Sequence, residues 1–148
     1  MGRIFGAVLA GYAVMFVGVM GLMSVAWIGL GADRAFLPDS WDITMSWILI
    51  SLVVGIIAAV AGGYVCIAIG KDPVAIMWLL TLVLVLGFGI AILQVFGPEV
   101  PMRVRPANVS MGDAMSGAQQ PLWLAFLNPI LGIIGILLGA RMRGGDRP

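Results

Sequence analysis

The segment from Ile43 to Gly70 is the strongest indication of the fold and reads ITMSWILISLVVGIIAAVAGGYVCIAIG. It contains 28 residues without a charged side chain and is bounded by Asp42 and Lys71. A helix that spans a bilayer needs about 20 predominantly apolar residues. Because hydrocarbon offers the backbone no hydrogen-bond partner, a run of this length is predicted to be a transmembrane helix despite its many β-branched residues.

Three further uncharged runs have the same character, at residues 4–30, 73–98 and 114–140, the last becoming apolar near Pro121. The composition agrees, because 61% of the residues are hydrophobic and 10% are charged, outside the usual range of soluble domains. The sequence therefore predicts an all-α fold, an integral membrane four-helix bundle that forms a single transmembrane domain over residues 1–148. The predicted spans lie near 4–30, 44–69, 73–96 and 119–140, and the predicted loops lie at 31–43 and 97–118.

The first run has a competing interpretation as a secretory signal peptide. Arg3 supplies a basic start, and the small residues Ser24 and Ala26 around Val25 resemble a cleavage site. Signal peptides have an apolar region of about 7–15 residues, which is much shorter than this run. We therefore expect a retained first helix, and cleavage would leave three spans.

The second and third spans are joined by a tight turn. Gly70 is expected to close one helix, Asp72 to cap the next, and Pro73 to occupy its first turn. A short connection here places the two long loops together at the opposite side of the membrane. Both termini then share the side of the turn.

The basic residues predict the orientation. Five of the eight lie on the turn side and three on the loop side. Cytoplasmic segments carry the excess of lysine and arginine, which favours N- and C-termini in the cytoplasm. The turn-side set is Arg3, Lys71, Arg141, Arg143 and Arg147, and the loop-side set is Arg34, Arg103 and Arg105.

Small residues at steps of four predict where helices meet. Lipid tails are as apolar as leucine, so helices associate in a bilayer through close packing rather than through the hydrophobic effect. The third span is rich in leucine and valine and is expected to face more lipid. The predicted packing residues are Gly55, Ala59 and Gly63 in the second span and Gly135 and Gly139 in the fourth.

Few polar groups fall inside the predicted spans. No Asp, Glu, Lys, Arg or His is among them, although such residues mark proton relays and ion pathways. Gln94 and Asn128 are expected to point inward, to a helix partner, to water or to each other, because an unpaired amide is costly in lipid. Asn128 precedes Pro129, which removes a backbone donor and predicts a kinked fourth helix.

The loop at 97–118 is the candidate docking surface for a partner. Its prolines predict an extended start, and Ser110 followed by Asp113 is a variant of the capping box that predicts a short helix. Methionines adapt to varied partners, and a solvated loop is the alternative. The candidate docking residues are Arg103, Arg105, Met111 and Met115.

Several function classes find no support in the residues. Histidine is absent and Cys66 is the single cysteine, so neither a disulfide nor a histidine-ligated metal or haem is expected. No phosphate loop, dinucleotide fingerprint or nucleophile triad occurs, and a net charge of +1 argues against a nucleic-acid partner. We predict a protein that is not an enzyme, binds no cofactor, and has membrane lipids and other membrane-protein subunits as partners.

A resemblance covers most of the chain. It lies in the run Ala61-Gly-Gly-Tyr-Val, in Lys71-Asp-Pro, in Gln120-Pro-Leu-Trp, in Asn128-Pro and in Gly132 to Arg141. These segments resemble small uncharacterised four-transmembrane-helix proteins of the bacterial inner membrane. The resemblance implies a multi-pass protein of the bacterial inner (cytoplasmic) membrane and brings no established activity with it.

Two hypotheses follow. The first is a non-catalytic accessory or structural subunit of a larger membrane protein complex of respiratory or photosynthetic type. The alternative is a small homo-oligomeric transporter or channel, with a path lined by Ser51, Thr81, Gln94 and Asn128.

Overall fold

The computed structural model describes residues 1–97, 104–106 and 109–144. Its helices are α1 (Gly2–Leu30), α2 (Ala32–Ala35), α3 (Met45–Gly70), α4 (Pro73–Phe96), α5 (Met111–Gly117) and α6 (Leu122–Gly144). Among these described residues, α1, α3, α4 and α6 are long and apolar enough to cross a bilayer, which confirms the prediction of a helical fold with four candidate spans.

Local chemistry determines the turn between α3 and α4. Asp72 caps α4 by accepting the Val74 N–H at 2.9 Å, and Pro73 occupies the first position of the helix. The left-handed residue that ends α3 is Lys71, with φ 55°, so the closing role expected for Gly70 falls to its neighbour. Glycine is required at position 70 for another reason, since an added Cβ would lie 2.7 Å from the Cβ of Ala75.

The bundle has two distinct ends. The turn end contains the α3–α4 turn, where Arg3 Nε donates to the Ile69 carbonyl at 2.8 Å and Arg143 Nη1 donates to the Tyr64 hydroxyl at 3.1 Å. The loop end contains residues 31–44, 104–106 and 109–121. The described parts of both long connections therefore lie at one end, and the side of the membrane that this end faces stays a prediction.

The four long helices form a bundle in which three neighbouring pairs pack closely and the fourth pair packs less closely. α1 packs against α3, α3 against α6, and α6 against α4, whereas α1 and α4 contact each other less extensively. Gly11 and Leu79 bring α1 and α4 together near the turn end. Toward the loop end α1 has no buried residue beyond Gly11, and α4 has only Ala91 beyond Leu79.

The main core lies in the half of the bundle nearest the turn end. Cys66, Leu79 and Ile136 are fully buried there, together with small residues such as Ala7. A second, smaller core at the loop end is built around Phe36 and two buried alanines. The molecule thus has a well-packed turn-end half and a separate structure at the loop end. We call the latter the cap, and it consists of residues 31–44, 104–106 and 109–121.

The fourth long helix differs from its predicted bounds. It begins at Leu122 rather than near residue 119, because Gln119 bridges to Asp42 in an extended conformation and Pro121 intervenes. At its other end the helix continues past residue 140 to Gly144. α6 runs through Pro129, and the predicted kink there stays a prediction.

Candidate functional site

Four of the five predicted packing residues lie where α3 meets α6. A Cβ on Gly135 would be 2.6 Å from the Cβ of Ala59, and one on Gly63 or Gly139 would meet backbone atoms of the facing helix. Glycine at these positions lets the two backbones approach closely. This seam runs along the turn-end half of the bundle.

Gly55, the fifth of these residues, is placed differently. It shares the four-residue spacing of Ala59 and Gly63, but an added Cβ would meet no heavy atom within 4 Å. Gly55 instead lines a cavity. The spacing therefore continues past the point at which the helices stop touching.

The cavity has a volume of about 650 Å³ and lies in the loop-end half of the bundle. α1, α3, α4 and α6 contribute its walls, and α5 covers it at the loop end. Five methionines line it: Met15, Met20 and Met23 from α1 and Met111 and Met115 from α5. Small-molecule sites in proteins span roughly 300–1,000 Å³, so the cavity has the size of a ligand site.

The shape of the cavity follows from the packing around it. The fully buried side chains of Leu79 and Ile136 close the bundle toward the turn end. Beyond Gly11 no residue of α1 is buried, and α4 has none between Leu79 and Ala91. Helices α1 and α4 both line the cavity. The walls that α1 and α4 contribute to the cavity therefore consist of exposed and half-buried residues, apart from Ala91.

Besides Tyr12 and two tryptophans, the cavity is lined by the polar side chains of Ser51, Gln120 and Asn128, which differ in their partners. Ser51 Oγ donates to the Ile48 carbonyl of its own helix at 2.7 Å. Gln120 Nε2 donates to Gln94 Oε1 at 3.5 Å, a long distance for a hydrogen bond. No residue that the structure describes hydrogen-bonds the side chain of Asn128, which is exposed on the cavity wall. Gln94 and Asn128 are thus not paired with each other.

An aromatic cluster holds the cap above the cavity. Phe36 is 2% exposed and makes edge-to-face contacts with Trp27 and Trp41, at ring-centroid distances of 6.2 and 5.6 Å. Trp27 contacts Trp47 in the same manner at 6.0 Å. Such pairs stabilise by about 0.5–1.5 kcal/mol beyond their buried area. The cluster joins the end of α1, the first long connection and the start of α3.

The two long connections also join each other. The Gln119 N–H donates to the Trp41 carbonyl at 2.9 Å, and the Ile43 N–H donates to the Gln119 carbonyl at 3.3 Å. Gly117 lies directly against the Trp41 ring, where an added Cβ would be 2.7 Å from the nearest ring carbon. The described parts of both connections therefore form the cap as one folded unit.

The short helix predicted in the second connection is confirmed as α5, with the complete capping box. Ser110 Oγ accepts the Asp113 N–H at 3.2 Å, and Asp113 Oδ2 accepts both the Ser110 hydroxyl at 2.6 Å and the Ser110 N–H at 3.2 Å. These hydrogen bonds, the one from the Ser110 hydroxyl first, hold the pKa of Asp113 below its ordinary value. The Asp113 carboxylate thus stabilises the start of the helix that covers the cavity.

The candidate docking residues fall in different environments. Arg103 lies outside the described residues. The Arg105 side chain is 8% exposed and points into the cap, with Nη2 3.2 Å from Asp33 Oδ1 and the guanidinium carbon 5.9 Å from the Phe36 ring centroid. Met111 lies partly buried in the cavity roof, whereas Met115 is 59% exposed.

The Arg105 guanidinium is incompletely paired. Its Nε and Nη1 atoms are buried, and neither has a hydrogen-bond partner among the described residues. Because the same side chain lies over the Phe36 ring, it contributes to the cap through a cation–π contact as well as through Asp33. Sequence reasoning placed this residue on a docking surface, and the structure places it inside the cap.

Sequence reasoning missed the cavity and most residues of the cap core. Methionines at positions 15, 20 and 23 of α1 were the available signal, because they are flexible apolar side chains concentrated in one part of a helix. For the cap, the signal was the group of aromatic residues on either side of the first connection. Neither signal reveals which other segment completes the site.

The described residues offer no grouping of three or more His, Cys, Asp or Glu side chains that could hold a metal ion. Comparison of the chain with protein families, curated proteins and solved structures gave no match.

Proposed function

We propose that this chain is a non-catalytic accessory or structural subunit of a larger membrane protein complex of respiratory or photosynthetic type in the bacterial inner membrane. The observation that carries the proposal is the outer surface of the cap. Leu37 and Val104 are 46% and 78% exposed there. Both residues lie in the connections rather than in the four long helices, so acyl chains do not explain their exposure, and we infer that they contact another protein.

The construction of the cap supports the same role. Backbone pairing, an aromatic cluster and a buried arginine order two connections that are distant in sequence. A surface that is ordered before binding loses less conformational entropy when a partner docks. We infer that the cap presents this preformed surface to another subunit.

The chemistry of the spans is compatible with a non-catalytic role. The sequence has no charged side chain within the apolar runs. The proposed partners are membrane lipids and other membrane-protein subunits, with no nucleic acid and no cofactor required. The basic residues at the turn end support cytoplasmic termini.

A small homo-oligomeric transporter or channel is the second candidate, and Asn128 in the cavity wall favours it. Within one chain, however, the predicted path is not continuous. Thr81 donates to the Met77 carbonyl of its own helix at 2.9 Å and is not part of the cavity wall. Buried Leu79 closes the bundle below the cavity, so a path would have to run between copies.

Purification in mild detergent tests the first proposal. We expect the protein to elute with larger subunits in fixed stoichiometry. A charge placed on the cap surface, in L37E or V104E, should reduce the recovered partner at least tenfold, because a charge buried at an interface without a counterion costs several kcal/mol.

The matched control is M142E, which places the same charge on a side chain that is 63% exposed but lies near the turn end in α6. This variant should retain its partner. A homo-oligomer that lacks other subunits and supports solute flux in liposomes would refute the subunit proposal in favour of the transporter. Labelling of single cysteines introduced at Ser110 and Arg3 with an impermeant reagent checks the proposed orientation.

A further inference from the structure

We propose that the cavity binds an uncharged membrane amphiphile, a molecule with an apolar chain and a carbonyl or hydroxyl head that hydrogen-bonds the side chain of Asn128. Isoprenoid quinones and acylglycerols share this chemistry. The proposal concerns the interior of the chain and does not depend on the subunit role of the cap.

The route into the cavity is through the bilayer. The turn end is closed by the buried core around Leu79 and Ile136, and the loop end is covered by α5 and Phe36. We infer that the cavity opens between α1 and α4, which contact each other less extensively than α1 contacts α3 or α4 contacts α6 and which are both long and apolar enough to face lipid. A molecule dissolved in the membrane can enter laterally, whereas a water-soluble one would have to pass the cap.

The cavity wall selects against charge. None of the described residues that line it is Asp, Glu, Lys or Arg. The Arg105 guanidinium lies over the ring of Phe36, a residue of the cavity roof, and pairs with Asp33. A charged head would lose its water without gaining a counterion, at a cost that apolar burial does not offset.

Asn128 supplies the polar contact. Its carboxamide can donate and accept, and no described residue uses either capacity. Asn128 lies six residues after Leu122, where α6 begins, which places it roughly 9 Å along the helix axis at 1.5 Å per residue. An unpaired amide at that depth is costly in hydrocarbon, and a ligand carbonyl or hydroxyl would satisfy it.

The apolar part of the ligand would contact the rest of the wall. Methionine side chains from α1 and α5 adjust to an irregular chain, and Gly55 leaves space on the side of α3. The same residue provides a way to fill the cavity without disturbing the helix contacts, because an added Cβ meets no atom within 4 Å.

The test uses the full-length protein in phosphatidylcholine nanodiscs and follows the fluorescence of Trp27 and Trp47, both of which line the cavity. Three probes are titrated separately: a decyl-substituted benzoquinone, a diacylglycerol with brominated chains, and a phosphatidylcholine with the same brominated chains. Each quenches tryptophan on contact. Binding gives a saturable component, and mere dissolution in the bilayer gives an unsaturable one.

We expect saturable quenching by at least one of the two uncharged probes, and the probe that saturates identifies the head that fits. G55L should weaken it at least tenfold by filling the cavity. N128L should weaken it about three- to tenfold through loss of one hydrogen bond, and N128Q should restore part of that loss. The matched control G89L, at a glycine of α4 that has equal space and does not line the cavity, should bind as the wild type does.

Unsaturable quenching that is identical in all variants would overturn the proposal, since the cavity would then hold only bulk lipid. Saturation by the brominated phosphatidylcholine alone would overturn it as well, because a zwitterionic head would be accepted. If G55L does not assemble, the comparison of N128L with N128Q decides.

Discussion

The two halves of this bundle use the same kinds of residue to different effect. In the turn-end half, Gly63 and Gly135 allow the backbones of α3 and α6 to come into contact, and large side chains such as Leu79 are fully buried. In the loop-end half, Gly55 faces open space, and the helices surround a cavity of about 650 Å³ beneath a folded cap. The loop-end half has buried side chains too, such as Leu124, but its cavity leaves room for a ligand.

Small-residue spacing identifies one face of a helix but does not identify the helix that packs against that face. Gly55, Ala59 and Gly63 continue one row along α3. Only where α6 crosses that row does glycine become a requirement, as at Gly63. Spacing is a property of one helix, whereas contact depends on how the axes of two helices diverge.

The largest expected effect comes from substituting alanine for Gly63, with the same substitution at Gly55 as its control. G63A places a methyl group against backbone atoms of Ile136, and overpacking of this kind costs about 1–3 kcal/mol or more because backbone cannot move aside as a side chain can. G55A adds the same methyl group in open space and should change the free energy of unfolding by less than about 0.5 kcal/mol. Both are measured by denaturing-detergent titration in mixed micelles.

Equal losses of stability in G63A and G55A would remove the distinction between the two halves. Gly135 offers an independent check from the other helix, because a Cβ there meets the Cβ of Ala59 at 2.6 Å. G135A should therefore resemble G63A rather than G55A.

A smaller effect is expected in the cap. G117A forces a methyl group toward the Trp41 ring, which lies 2.7 Å from the ideal Cβ position, and should lower the local stability of the cap by about 1–2 kcal/mol, since the ring can shift only in part. Faster amide hydrogen exchange in α5 and in residues 36–43, with unchanged exchange in α3, would report this local opening.

The control for that variant lies in the same helix. An added Cβ at Gly112 has Ser110 Oγ as its nearest neighbour, at 3.8 Å, so G112A should leave exchange in the cap unchanged. Faster exchange in G112A equal to that in G117A would show that any alanine in α5 perturbs it and that the contact with Trp41 is not the cause.

Most of the membrane fold follows from the sequence for a simple reason. In hydrocarbon the backbone must satisfy its own hydrogen bonds, so the uncharged run at 43–70 has one available structure, and the described bounds of α3 depart from those predicted by only a residue at each end. The Asp72 cap and the capping box at Ser110 and Asp113 are equally local, and both appear in the structure. Local chemistry is therefore predicted well.

The cap and the cavity could not be predicted in this way. The bridge of Asp42 with Gln119 joins residues that are distant in sequence, and Arg105 points inward because Asp33 and Phe36 are brought to it by that pairing. No periodic pattern of residues in the sequence predicts such a contact. A cavity is likewise a space that several helices leave empty, and no single segment encodes it.

The smallest expected effect is the one that links the cap to pH. Bonds from Ser110 hold the pKa of Asp113 below the ordinary value of about 4 for an aspartate. A lowered pKa in the folded state means that the carboxylate stabilises α5 at neutral pH, and that this contribution begins to fall below about pH 4 and is lost as the pH passes through the folded-state pKa. D113N should remove this part of the acid sensitivity, and S110A should cost about 1 kcal/mol of helix stability at pH 7 by loss of the N-cap.

The readout is the ¹⁹F resonance of fluorotryptophan at Trp41, identified by its absence in W41F, because Trp41 packs directly on α5 through Gly117. Other carboxylates of the cap, among them Asp33 and Asp42, are common to both proteins, so the difference between the wild type and D113N isolates the capping box. A resonance that moves identically with pH in the two proteins would mean that the cap is held by its aromatic cluster and by Arg105 alone. In that case the two halves of the molecule differ in packing only, and the local chemistry of α5 has no part in closing the cavity.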